Sequence, residues 1–215
     1  LLHELTTSFP VSVIEDYKTL VNFGENFLEP IHNWYEYKQG FAKRLIQTLI
    51  RKEHPPKELY ILDPFCGVGT TNLVAKSMGY NSIGLDVNPV ATFASIVKTR
   101  DYTENNIQTI SDSIQNFHNK LEWKMKADPK VISTSFTKEQ LKKLKKIRGY
   151  IDSVENKNSR EFLLLAYLSV IEDASIRIKD GNGIKIRKNK KQILDIYGYF
   201  LLKAKSMLKD IQDSD

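Results

Sequence analysis

The 215-residue chain has a single cysteine, Cys66, and no apolar run near the ~18 residues that a membrane-spanning helix requires. One thiol excludes an internal disulfide framework and fits a reducing compartment. The opening LLHELTTSFP has no basic stretch leading into an apolar run, so these residues do not read as a signal peptide. The expected setting is cytoplasmic, with no membrane contact. The chain also lacks an initiating Met, so its true N-terminus is expected to lie upstream or to have been trimmed. Its four histidines, His3, His32, His54 and His118, have no metal-ligand spacing with one another or with Cys66, and no metal site is expected. Internal repeats and low-complexity tracts are missing too.

What is present is ordinary globular composition, 41% hydrophobic and 27% charged, with an uneven charge. Residues 1–100 carry ten Lys/Arg and ten Asp/Glu, whereas residues 101–215 carry 22 and 16, so the excess of +6 lies wholly in the second half. A basic half joined to a neutral one is consistent with a polyanion contact, and equally with a solvated Lys-rich surface.

Periodicity divides the chain at about the same place. Phe41, Leu45, Ile46, Leu49 and Ile50 share one helical face over residues 41–52, and HPPKE ends that helix. Leu59–Leu62 reads as a short buried strand, followed by a Gly-rich turn and a helix over about 71–78 that Gly79 closes. Residues 81–86 read as a second strand and 89–98 as a second helix. Strand, turn, helix, strand, helix is the opening of a doubly wound α/β sheet. Beyond Arg100 the patterns are helical (about 104–124, 137–152, 159–174 and 189–211), interrupted by IRIKDGNGIKIR at 176–187. That stretch predicts a β-hairpin about Asp-Gly-Asn-Gly, with four isoleucines on one face and Arg177, Lys179, Lys185 and Arg187 on the other. The expected organisation is therefore 1–100 as one part and 101–215 as a helical, basic part.

The sharpest signal is Asp63-Pro64-Phe65-Cys66-Gly67-Val68-Gly69-Thr70-Thr71, directly after a strand. Gly67 and Gly69 allow a turn tight enough for backbone amides to approach a ligand. Thr70 can cap the next helix, whose start offers free N–H groups and a positive dipole end to a carboxylate. Asp63, at the strand end, can receive an ammonium. A zwitterionic amino acid satisfies both ends, and methionine is that part of S-adenosylmethionine. Asp86, 19 residues after Gly67, stands in Gly84-Leu85-Asp86-Val87-Asn88-Pro89. An acid at the tip of the second strand, Asp86, is where doubly wound folds hold ribose hydroxyls, and Val87 would flank the adenine. A dinucleotide fingerprint would need a third glycine where Asn72 stands, and a P-loop would need Gly-Lys-Ser/Thr. A plain Gly-rich turn is the remaining alternative.

Residues 63–71 resemble the D-P-F-x-G-x-G-T-T cofactor motif of the DNA amino-methyltransferases, which form N6-methyladenine or N4-methylcytosine. GLDVNPVA, Gly84–Ala91, resembles the family's next motif, and Trp34 to Phe41 is similar to its N-terminal one. The resemblance covers about residues 30–100. It implies a Rossmann-like, S-adenosylmethionine-dependent methyltransferase fold, here a partial sheet with a large, mainly helical insertion. It implies cofactor contacts from Asp63, Pro64, Phe65, Cys66, Gly67, Gly69, Thr70, Thr71, Asp86, Val87 and Asn88. Tyr37 and Phe41 would close over the methionine end, unless they are simply core aromatics of an amphipathic helix. Double-stranded DNA would be the partner, met by Arg177, Lys179, Lys185 and Arg187, in a bacterial or archaeal restriction-modification setting.

The family's catalytic motif, Asp/Asn/Ser-Pro-Pro-Tyr/Phe, does not occur in the chain. Its one Pro-Pro pair, in His54-Pro55-Pro56-Lys57, has no aromatic and precedes the cofactor strand. No catalytic residue is therefore assigned. The chain is expected to be a fragment that ends before the third strand, or one subunit of a split enzyme completed by a catalytic chain. Cys66 lacks the Pro-Cys-Gln context of a cytosine-C5 nucleophile. Three alternatives stand beside this reading. An RNA guanine-N2 methyltransferase has a similar first motif, a non-catalytic subunit could bind the cofactor alone, and a small-molecule methyltransferase would usually lack Asn88-Pro89.

Overall fold

The computed structural model describes residues 20–37, 40–117, 134–180, 183–186 and 193–213. Two 3₁₀ turns, Gly24–Leu28 and His32–Trp34, precede α1 (Lys43–Glu53). Then follow β1 (Tyr60–Asp63), α2 (Thr70–Ser77), β2 (Asn81–Gly84) and α3 (Pro89–Thr99). The rest is helical, with α4 (Glu104–Gln115), α5 (Lys138–Asp152) and α6 (Lys157–Ala174). A hairpin of β3 (Arg177–Asp180) and β4 (Gly183–Ile186) comes before α7 (Ile196–Gln212).

Local chemistry sets most of these boundaries. Asn88 caps α3 by accepting the N–H groups of Val90 and Ala91, with Pro89 in the first helical position. Thr103 with Asn106, and Thr137 with Gln140, form reciprocal capping boxes that open α4 and α5. Gly79 closes α2 at φ +72°, a left-handed conformation that suits glycine.

β1 and β2 are parallel, with Leu62 opposite Ile83 and Asp63 opposite Gly84. The inner face of the pair lies on α2, where Asn72 Nδ2 donates to Ser82 Oγ at 3.1 Å. The first strand is not the buried strand expected over Leu59–Leu62, and its partner is equally open. Leu62 is 60% exposed and Ile83 47%, and Tyr60 and Leu85 are exposed with them. The reason is positional: among the described residues, neither a helix nor a third strand covers this outer face.

The core lies on the other side. One apolar cluster runs from Phe23 and Trp34 through Val68, Ala91 and Val97 to Phe162, Phe200 and Ile211. It therefore draws on both the neutral and the basic half of the sequence. Trp34, 1% exposed, meets Phe162 edge-to-face at 5.3 Å, and Tyr102 meets the same ring at 5.6 Å. Phe117 packs similarly on Tyr150 and Tyr197. No helix among the described residues is long and apolar enough to cross a membrane.

Candidate functional site

The segment after β1 doubles back through four backbone hydrogen bonds. Leu85 N–H donates to Asp63 O at 2.9 Å, and Cys66 N–H to Leu85 O at 2.8 Å, so the first motif is laced to the chain leaving β2. Gly69 N–H donates to Cys66 O, and Leu73 N–H to Gly69 O, which starts α2. The helix cap is Gly69 itself, at φ +80°, rather than Thr70. Thr70 is the first residue of the helix and is buried. A side chain at 69 has no room, since a Cβ there would stand 2.2 Å from Ser95 Oγ. Gly67, at φ +51°, faces the Tyr37 ring, with a Cβ position 3.0 Å from Tyr37 Cε1.

Both acidic residues are oriented by these turns. Asp63 Oδ1 accepts from Phe65 N–H at 3.0 Å, and its Oδ2 from the Thr71 hydroxyl. Asp86 Oδ2 accepts from Gly67 N–H at 2.8 Å and its Oδ1 from Asn88 N–H at 2.8 Å. Asp63 is thus already engaged by its own turn, which sequence alone did not predict. A carboxylate oxygen accepts more than one donor, so both acids retain capacity toward a ligand.

Between them lies the Cys66 thiol. Burial first, then the charges of Asp63 and Asp86, raise its pKa, so it stays protonated and unreactive near neutrality. Phe65 and Val87 project outward, the latter fully exposed. Pro64 and Asn88 are exposed as well, and Phe41 stands at the start of α1 with its carbonyl accepting from Asn26 Nδ2. The structure thus brings Tyr37, Asp63, Cys66, Gly67, Thr71 and Asp86 together.

Two further contributors lay outside the motifs. Ser95 faces Gly69, while Asn72 lies beneath Gly84, where a Cβ would fall 2.6 Å from its Oδ1. A recognisable signal existed for Ser95. It shares the α3 face of Ala91 and Ala94, small residues spaced for close packing against the turn.

The hairpin forms at the predicted place with a different facing. Its register pairs Arg177 with Ile186 and Lys179 with Ile184, and residues directly opposite share a face. The positions of Lys179 and Lys185 therefore lie on opposite faces, so Arg177, Lys179 and Lys185 do not share one face. The two-residue connection makes even positions pair with odd ones, which the expected isoleucine face overlooked. Arg177 Nη2 donates to Thr134 Oγ1 at 3.1 Å. Arg187 lies outside the described residues. The basic helix α5 buries Leu144, Ile147 and Ile151 and pairs two of its cations in place, Lys143 with Glu139 and Arg148 with Asp152.

A parallel pair joined through a glycine turn and α2, with one acid after each strand, is a small α/β unit compatible with an α/β methyltransferase. Residues 15–99 match the model of the family described as DNA methylase. The chain is 28% identical over 212 residues to the Type II methyltransferase M.BsoBI of Geobacillus stearothermophilus, covering 94% of this chain and 41% of that protein. It is 24% identical over 182 residues to M.AvaI of Nostoc sp., covering 78% and 36%. A shorter match, 33% over 72 residues, is to M.MjaII of Methanocaldococcus jannaschii, covering 34% and 13%. The chain thus spans about two fifths of the length of the first two relatives. No solved structure gives a significant match.

Proposed function

We propose that this chain is the S-adenosylmethionine-binding part of a site-specific DNA amino-methyltransferase that forms N6-methyladenine or N4-methylcytosine, in a Rossmann-like fold whose sheet is completed by further polypeptide. The observation that carries this reading is the Gly67–Asp86 hydrogen bond, which holds the first motif's turn against the second motif's acid while Tyr37 covers the turn. The residues suit the cofactor. Asp63 faces the ammonium, and the N–H groups opening α2 take the carboxylate. Asp86 holds the ribose, with Phe65 and Val87 as exposed apolar surface for the adenine. Pro64, Cys66, Gly69, Thr70, Thr71 and Asn88 shape the turn and tip, and Phe41 with Tyr37 bounds the methionine end. S-adenosylmethionine would supply an electrophilic sulfonium methyl.

The sequence contains no Asp/Asn/Ser-Pro-Pro-Tyr/Phe tetrapeptide, so the chain alone binds the cofactor without methylating. The catalytic residues belong to a continuation of the polypeptide or to a complementary chain. The region 101–215 acts on the DNA side, with Arg177, Lys179, Lys185 and Arg187 contacting the phosphates of double-stranded DNA in a bacterial or archaeal cytoplasm. Isothermal titration of S-adenosylhomocysteine, beside a tritium-transfer assay on duplex DNA, tests the reading. Binding without transfer is expected. No binding, or transfer by the chain alone, overturns it.

A further inference from the structure

The segment 31–37 forms a strap that ends with Tyr37 against the glycine turn, and its backbone is gripped by side chains from two helices distant in sequence. From α3, Lys98 Nζ donates to His32 O at 2.9 Å and to Tyr35 O at 3.4 Å. From α7, Lys203 Nζ donates to Asn33 O at 2.8 Å. Asp210 Oδ2, also on α7, accepts both Ile31 N–H at 3.0 Å and the Trp34 indole N–H at 2.8 Å.

Lys98 is the unusual member of this set. It is 3% exposed and has no carboxylate in ion-pair reach among the described residues. Burial first, and Lys203 second, lower its pKa to about 7. Burying a lysine this way is costly, and carbonyl partners alone offset only part of the cost. A methionine would fill the same volume at less expense, so packing does not explain why a lysine stands there. What the lysine does that an apolar residue cannot is hold two carbonyls of the strap at once.

Beyond the grip, the strap ends at Tyr37, whose ring lies on Gly67. Gly67 in turn holds Asp86. The helix carrying Lys98 is capped by Asn88, which donates its own N–H to that same Asp86. α3 is a rigid rod about 16 Å long. Its cap residue shapes the acid, and its last turn anchors the cover above the turn.

We propose that Lys98 is a positioning residue for the candidate cofactor site: gripping the carbonyls of His32 and Tyr35, it fixes the strap that lays Tyr37 over Gly67, and Lys203 and Asp210 secure the same strap from α7. This rests on the reading of the turn as a cofactor site. Its consequence is that the far, helical end of the chain sets affinity at the turn without touching the ligand.

The test uses the 215-residue chain with Lys98→Met, Lys203→Met, Tyr37→Ala and the Lys98→Met/Tyr37→Ala double variant. Two quantities are measured: S-adenosylhomocysteine affinity by calorimetry, and amide hydrogen exchange across residues 31–37. Lys98→Met is expected to weaken binding by about tenfold, because the strap must then be ordered when ligand arrives. The double variant should bind no worse than Tyr37→Ala, since a residue acting only through Tyr37 has nothing left to position. Exchange in the strap should quicken in both lysine variants while α4 and α6 stay protected. Additive losses in the double variant overturn the proposal, as does an unchanged strap. Should the wild-type chain bind no ligand, the cofactor reading fails, and the exchange data still decide whether Lys98 holds the strap. Lys203→Met, at a partly buried position, keeps the test open if Lys98→Met does not fold.

Discussion

The Asp86 carboxylate accepts the backbone N–H of Gly67 at 2.8 Å, joining two motifs that lie 19 residues apart. Asp86 therefore has two tasks, shaping the turn and offering a carboxylate at the strand tip. Asp86→Asn separates them. The amide can still accept one of the two N–H groups, so stability should fall by only about 1–2 kcal/mol. Affinity for S-adenosylhomocysteine should fall by about tenfold or more, since the charge-assisted bond is lost. Urea unfolding and calorimetry on the same sample measure both. Equal affinity in the variant would remove Asp86 from the site.

Gly69→Ala should be the most damaging single change in the turn. A Cβ at that position meets Ser95 Oγ, Cβ and Cα within 3.0 Å, at a φ of +80° that side chains rarely adopt. A loss of about 3 kcal/mol is expected from strain and overpacking together. Adding Ser95→Gly should recover part of it, because the φ penalty remains. Thermal melts of the three proteins decide the point.

Much of this was legible in the sequence, for physical reasons. Glycine spacing and the helix-breaking HPPKE act within a few residues, so the turn and the ends of α1, α2 and α3 could be placed to within one or two positions. By contrast, the expected helices over about 104–124 and 189–211 overran the end of α4 at Gln115 and the start of α7 at Ile196. The hairpin's position was legible as well, whereas its facing depended on whether the connection had two residues or more. The grip on the strap was not readable, because Lys98, Lys203 and Asp210 meet residues 31–35 only after the helices pack. A lysine on the small-residue face of α3 was the one local hint. The exposure of Leu62 and Ile83 was likewise invisible, since period and composition tell what a strand prefers and not whether a neighbour covers it.

Cys66 should resist modification in the folded chain. Burial and the two nearby carboxylates raise its pKa, so the thiolate fraction near pH 7 is below that of a free cysteine. Reaction with a disulfide reagent is expected to be at least about tenfold slower than in urea-unfolded chain, and to accelerate as pH rises. A folded-state rate equal to the unfolded one would contradict the buried placement.

His32 makes the chain sensitive to acid. Burial first, then Lys98 and Lys43, lower its pKa from 6.5 to about 3. The folded chain keeps the imidazole neutral while the unfolded chain takes up a proton below pH 6.5. The stability is therefore full above that pH and is lost as pH falls toward 3, by about 2 kcal/mol at pH 5. The His32 ring resonances should show no titration above pH 4, and His32→Gln should flatten the decline in stability between pH 6.5 and 5.

The uncovered face of β1 and β2 makes the molecule energetically lopsided. Its helical side carries the interlocked aromatics, while the strands that bear Asp63 and lead to Asp86 are backed by α2 on one side only. In the isolated chain the two strands should open locally at a small fraction of the free energy that unfolds the helices. Native-state hydrogen exchange would register this as fast amides in residues 60–63 and 81–84 beside slow ones in α6. Whatever polypeptide covers Leu62 and Ile83 would then also tighten the acids at the strand ends, linking completion of the sheet to ligand affinity by mass action.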